Sequence, residues 1–248
     1  ARALENIDPA AKDAVPVLVD ALKEKDDLGV PPVIVKALTR FGSAAVPALA
    51  DALKSKEGRA QAYAAMALKQ IGPDAKPAVA ALIEVVKAHK EPAQLAKLNA
   101  IAALGRIGPG AKEAVPTLME VTKEKPPTSA SRLAAITALG QIGPEAKAAV
   151  PTLIDLLGEE ETKSGPVRLE AARALGLMGS VAGEEATSAL VALVENKKLG
   201  PSRIVAINSL GQIGAPAKNA VPALRKATED AELKTAAAKA IEKIESKK

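Results

Sequence analysis

Chemistry in a protein needs side chains that pass a proton, hold a metal or attack an electrophile, and this chain gathers few of them. Its one histidine, His89 in KAHKE, has no second histidine with which to hold a metal. Cysteine is absent, which removes disulfides, thiol nucleophiles and thiolate metal sites but fixes no compartment. Three carboxylates adjoin at Glu159, Glu160 and Glu161 in GEEETKSG. That stretch reads as a solvated loop, with nothing to exclude water or to move a pKa. No phosphate-cradling GxxxxGK[ST], no dinucleotide-type GxGxxG and no GxSxG nucleophile elbow occurs. The sequence therefore predicts no catalytic residue, no metal and no cofactor.

Two charge patterns do recur. Lys12, Lys112, Lys147 and Lys218 each stand four residues before a proline, and Lys76 holds the equivalent place. Such a row is one way to meet a nucleic-acid backbone. Neighbouring Asp and Glu dilute it, and one Tyr, one Phe and no Trp leave little on which bases could stack. The 34 basic and 29 acidic residues are interspersed, a mild excess. The second pattern is a basic residue at Lys97, Arg132, Arg168, Arg203 and Lys234, interrupted by Gln61 and Pro31.

The elements that position these residues follow from a repeat. A leucine in an ALG-like word falls at Leu4, Leu38, Leu68, Leu104, Leu139, Leu175 and Leu210, with Ile241 in the last place. Spacings near 35 along the whole chain mean a solenoid of helix pairs. In the second helix of each pair, apolar residues sit at −6, −4, −3, −1, 0 and +3 from that leucine, a broad helical stripe. The basic series lies at −7. Gly108, Gly143, Gly179 and Gly214 follow the last periodic residue, where a left-handed cap is expected. Pro109 and Pro144 then open the next helix, and Pro116 and Pro151 are expected to bend it from inside. Pro47 and Pro77 vary the same theme.

Helix pairs of this length, a proline-marked first (A) helix and a second (B) helix of the VRxxAAxALGxIG type resemble HEAT repeats, and most closely the PBS-lyase HEAT-like subclass, over residues 1 to 246. The resemblance implies an all-α, right-handed α-α superhelix of about seven helix pairs. It forms one array over 1–248, with a truncated first repeat and a capping helix at 233–246. It also implies A helices on the convex side, B helices on the concave side, and an inter-repeat ladder made by the basic residue at −7. Chromophore lyases share the subclass, but a bilin site needs aromatic walls that two aromatics cannot supply. HEAT-like hydroxylases hold metals through several His–Glu pairs, which this chain lacks.

Positions −5, −2 and +2 of the B helices vary most between repeats and share one helical face. They run Val33, Lys36, Arg40; Tyr63, Met66, Gln70; Asn99, Ala102, Arg106; Ala134, Thr137, Gln141; Glu170, Arg173, Leu177; Val205, Asn208, Gln212; Ala236, Lys239, Lys243. Either these positions are merely solvated, or they line a groove that contacts a partner. Solenoids commonly bind through such surfaces, and Val33, Tyr63, Met66 and Leu177 are unusual choices for idle surface. At the other extreme of the chain, Leu4 and Ile7 belong to a B helix without its A helix, which suggests docking on a protein or on a second copy, end to end. The sequence thus predicts a non-enzymatic scaffold or adaptor for protein partners. A nucleic-acid binder using the lysine row is the alternative.

Overall fold

The computed structural model describes residues 12–23, 30–88, 94–125, 129–159 and 161–246. All regular structure among them is helical, and the α-helices form seven pairs: α1 (Ala14–Ala21) with α2 (Val30–Phe41), α3 (Val46–Ala52) with α4 (Gly58–Ile71), α5 (Val79–Lys87) with α6 (Gln94–Ile107), α7 (Val115–Val121) with α8 (Ala130–Ile142), α9 (Val150–Leu157) with α10 (Glu161–Met178), α11 (Gly183–Glu195) with α12 (Gly200–Ile213), and α13 (Val221–Ala227) with α14 (Lys234–Ser246). Odd numbers are A helices and even numbers B helices. The pairs gather into two compact units, Ala1–Thr117 and Leu118–Lys248. In the first, α2, α4 and α6 lie side by side with their A helices as a second layer. In the second, α8, α10, α12 and α14 do the same.

Composition explains why B helices tolerate neighbours on both sides. In α4, Ala60, Ala62, Ala64, Ala65, Ala67 and Leu68 are buried, so the helix is covered over most of its circumference. Alanine propagates a helix best and adds little bulk between axes. The A helices are one-faced by contrast: α9 buries Val150, Leu153, Leu156 and Leu157. The leucines that mark the repeat, Leu38, Leu68 and Leu104 in the first unit and Leu139, Leu175 and Leu210 in the second, are fully buried. Each contributes about 1.5–3 kcal/mol by that burial.

Between a B helix and the next A helix the chain makes a 3-10 turn, as at Gly72–Ala78, Gly108–Ala114 and Gly143–Ala149. Side chains three apart eclipse in this geometry. Accordingly Gly143, Ala146 and Ala149 are buried together, as are Gly108, Ala111 and Ala114. This changes the reading of the second proline. Pro151 lies at the start of α9 and Pro47 at the start of α3, not in a helix interior. Proline lacks an N–H and clashes with the carbonyl four residues back, so it bends or ends an α-helix that meets it. The bend falls before it, at Ala146 (φ −92°, ψ 20°) and Ala111 (φ −99°, ψ 22°). Pro77 differs again, lying inside its 3-10 turn.

The glycine cap also departs from the left-handed conformation expected. Gly72, Gly143 and Gly214 have φ of 71° to 77° with ψ of −132° to −138°, a mirror-image extended conformation that is open to glycine. Their N–H groups still bond to Leu68, Leu139 and Leu210, so the chain turns away only after the last helical bond.

Two stretches, Pro32–Ala52 and Gly165–Glu195, have the length and mean hydropathy of a bilayer-crossing helix. Each is interrupted by positive-φ glycine, at Gly42 in one and at Gly179 and Gly183 in the other, so neither is one continuous rod.

Candidate partner-binding faces

In the second unit the mid-helix glycine of the ALG word sets the geometry. A Cβ on Gly140 would stand 2.7 Å from Ala174 Cα, one on Gly176 2.9 Å from Ser209 Cα, and one on Gly211 3.0 Å from Ala240 Cα. The B helices therefore meet backbone to backbone, which only a missing side chain allows. Each +2 residue leans over the glycine of the preceding helix: Leu177 over Gly140, Gln212 over Gly176, and Lys243 over Gly211. The outcome is an exposed row of Gln141, Leu177, Gln212 and Lys243, in which Leu177 is 51% exposed. Beside it, Thr137 Oγ1 lies 3.0 Å from Leu133 O and 3.1 Å from Glu170 Oε2, its one proton serving either. Arg173 pairs with the other oxygen of Glu170 at 2.6 Å. Thr137 and Arg173 thus meet through Glu170, while Asn208, Lys239 and Lys243 are exposed and Ala134, Val205 and Ala236 half-buried.

The first unit presents the same rows. Lys36, Arg40, Gln70 and Arg106 are exposed, and Val33, Tyr63, Met66 and Ala102 half-buried. Thr39 and Lys69 stand where the second unit has glycine, while α6 keeps Gly105 there. Thr39 Oγ1 lies 2.8 Å from Val35 O and 3.1 Å from Gln70 Oε1, so Gln70 covers Thr39 as Gln212 covers Gly176. The Arg59 guanidinium sits 5.8 Å from the Tyr63 ring centre, a cation–π contact. Asn99 is a correction: it is only 6% exposed, and its amide donates to Ala62 O at 3.1 Å. It joins α6 to α4 and is not available to a partner. An amide taken out of water needs such an acceptor.

The residue at −7 turns out to bind its own repeat first. Arg132 Nε donates to Thr122 O just beyond α7, Arg168 Nε to Leu157 O at 2.9 Å, and Arg203 Nε to Val194 O at 2.8 Å. These carbonyls end the A helices, where intrahelical donors run out and partial negative charge accumulates. The inter-repeat ladder implied by the resemblance is made by Arg132 with Glu159 and by Arg203 with Asp230 at 2.9 Å. The Arg203 hydrogen bond holds the Asp230 carboxyl below the usual carboxylate range. Gln61 does not interrupt the series in function, because its amide donates to Leu53 O at 3.0 Å and Ser55 O at 2.9 Å. Glu159, read as part of a solvated loop, is a structural ion-pair partner.

Leu4, Ile7, His89 and Glu160 lie outside the described residues. Among the described residues no three metal-ligating side chains come together. The lysine row is exposed throughout, and Lys76, Lys112 and Lys147 share their 3-10 turns with Asp74, Glu113 and Glu145. Clefts open between successive A helices, one walled by Leu53, Gln61, Pro77, Ala81 and Val85, another by Val194, Lys197, Arg203, Lys226 and Asp230. Neither places a nucleophile beside a base.

Successive helix pairs, six of the seven with a buried motif leucine, define a helical-repeat protein. The family model for HEAT repeats matches residues 46–131, 79–163 and 127–201, together more than half of the chain, and the model for the PBS lyase HEAT-like repeat matches 202–230. The chain belongs to the HEAT-repeat family. No curated protein sequence matches it. Among solved structures it is similar to the karyopherin Kap121p bound to the extreme C-terminus of the protein phosphatase Cdc14p, at 17% identity and TM-score 0.64 over 94% of this chain and 29% of that one. Kap121p bound to Pho4p gives 16% identity and TM-score 0.64, over 95% of this chain and 30% of that one. The CpcE–CpcF complex of phycocyanin lyase from Nostoc sp. PCC7120 is similar at 24% identity and TM-score 0.49, over 93% of this chain and 94% of that one. At these identities the likeness is one of fold.

Proposed function

We propose that this chain is a non-enzymatic scaffold or adaptor that binds protein partners along its B-helix faces. The observation that carries the reading is the +2 row of the second unit. There an exposed leucine, Leu177, stands between the neighbouring amides of Gln141 and Gln212 on helices locked together by glycine contacts. A leucine in the middle of a polar row is an anchor for an apolar side chain, and primary amides both donate to and accept from a peptide backbone. Because the helices beneath are packed backbone to backbone, little ordering remains to be done on binding. Kap121p, similar in fold, is seen bound to other proteins.

The test is recovery of partners from the native host with the wild-type chain and with Leu177→Asp, followed by cross-linking to map the contact. Loss of a partner with Leu177→Asp, and cross-links confined to B-helix rows, are expected. Cross-links confined to the A helices would overturn the reading. So would binding of DNA that weakens steeply with salt and disappears in Lys147→Glu, Lys218→Glu.

A further inference from the structure

Charge is spread unevenly over the B-helix rows of the second unit. On α10, Glu170 pairs with Arg173 at 2.6 Å and meets Thr137 of α8 at 3.1 Å, so that charge is satisfied within the face. α12 adds none. Its one charged residue, Arg203, is turned onto Val194 O and Asp230, and its exposed Asn208 and Gln212 are amides. α14 differs, because Lys239 and Lys243 are exposed one turn apart and neither has an ion-pair partner among the described residues. The Glu245 carboxylate of the same helix is taken by Arg225 of α13 at 3.1 Å. Like charges four apart on a helix repel, and here no described carboxylate offsets them.

Leu177, half exposed on α10, lies two helices from Lys243 along the same row. Leu177, Gln212 and Lys243 each lean over the glycine of the preceding helix, at Gly140, Gly176 and Gly211, so they are shifted alike and keep the spacing of the helices. Packed helix axes are about 8–10 Å apart, which puts Lys243 about 16–20 Å from Leu177. An extended peptide covers that distance with about five or six residues. Read across, the row runs from apolar anchor to amide to cation.

We infer that this row binds an extended peptide whose apolar side chain rests on Leu177 and whose acidic side chains, about five or six residues away, reach Lys239 and Lys243. The Gln212 amide meets the peptide backbone between them. The inference rests on the proposal that B-helix faces bind protein, and names the chemistry of the partner. A carboxylate set between the two lysines offsets their repulsion, and the row asks for acid at one end only. A nucleic-acid strand carries a phosphate at every residue and would lay charge over Leu177 and beside Glu170, where Arg173 is already paired.

The experiment uses the full chain and two fluorescein-labelled peptides read by anisotropy, Ser-Leu-Ser-Thr-Ser-Thr-Glu-Glu-Ser and the same residues in reverse order. Binding of one of them, falling as salt is raised, is expected. Lys239→Glu, Lys243→Glu should weaken it about tenfold, as exposed pairs are lost and turned repulsive. Leu177→Asp should weaken it at least as much as replacing the peptide leucine by serine does. Lys147→Glu, Lys218→Glu makes the same change in net charge off the row and should leave binding unchanged. Circular dichroism checks that each variant is folded. The inference is overturned if neither peptide binds, if lysine-for-glutamate peptides bind as well, or if the two double reversals act alike. It is likewise overturned if oligo-dT of similar length binds more tightly and loses affinity in Lys239→Glu, Lys243→Glu, which gives the row to nucleic acid. Should both peptides fail while Leu177→Asp still abolishes partner recovery, this inference falls and the scaffold reading stands. If both fail, both fall.

Discussion

Where the second unit brings its B helices together on bare backbone, at Gly140, Gly176 and Gly211, the first unit keeps glycine only at Gly105 and places Thr39 and Lys69 at the other two corresponding positions. Where the second unit uses Arg132, Arg168 and Arg203 to hold the ends of three of its A helices, the first uses the amide of Gln61 at the end of α3. The same repeat is thus built to two specifications. One turns charge inward, satisfies carbonyls with guanidinium groups and leaves a mixed outer row. The other satisfies such carbonyls, after α3, with the neutral amide of Gln61. A repeat word fixes which positions are buried, but the residue chosen at a semi-buried position decides whether a charged or a neutral group meets the end of the A helix.

Substitution at the glycine position should break this comparison most severely. Gly176→Val places a branched side chain where even a Cβ lies 2.9 Å from Ser209 Cα, and is expected to cost about 3 kcal/mol, visible as a lower midpoint in urea unfolding. Thr39→Val in the first unit should cost about 1 kcal/mol or less, through the lost hydroxyl alone. Equal costs at the two sites would mean that close backbone packing is not what the glycine provides.

The −7 residue gives the next effect. Arg132, 5% exposed, meets both a helix-end carbonyl and Glu159. Arg132→Met should lose about 2–3 kcal/mol by leaving a half-buried carboxylate and a carbonyl without their donor. Gln61→Met removes two neutral hydrogen bonds and should lose about 1–2 kcal/mol. If the two costs coincide, the charge itself adds nothing to stability.

The smallest effect separates the units by pH. In the folded chain Asp230 is more acidic than in the unfolded one, because the Arg203 hydrogen bond favours its charged form. The folded state therefore binds fewer protons, so the pair stabilises above the ordinary carboxylate range and loses that contribution as pH falls through the depressed value. Stability of the wild type should drop more steeply below about pH 4 than that of Arg203→Gln. A Gln61→Met variant should keep the wild-type acid limb, since its amide does not titrate. Identical acid limbs for wild type and Arg203→Gln would remove Asp230 from the ledger of acid-sensitive groups.

Much of this was legible in the chain. The leucine register correctly placed Arg40, Gln70, Arg106, Gln141, Leu177 and Gln212 on the exposed +2 row, because a helix of fixed pitch repeats its faces. Asn99 was misplaced because an amide at −5 can point to water or to a neighbour, and only the carbonyl of Ala62 decides. The recurring glycine in ALGRIG, ALGQIG and ALGLMG was in plain view. Periodicity scores a small residue as neither face, so its meaning emerged only from the distance to Ala174 and Ser209. The proline bend was foreseen, yet it lies before Pro151, since the proline ring excludes the helix behind it rather than ahead.

The order of residues by itself determined the helix pairs, their phase, the buried leucines and the absence of charge other than positive on three B helices. These depend on local pitch and composition, which any stretch of chain carries within itself. Tertiary structure alone decided that Arg132, Arg168 and Arg203 turn inward onto helix ends, and how near one backbone comes to the next. Those outcomes depend on atoms contributed by the preceding helix, nine to eleven positions away, or by the next repeat, some thirty positions away, and no single helix can supply them.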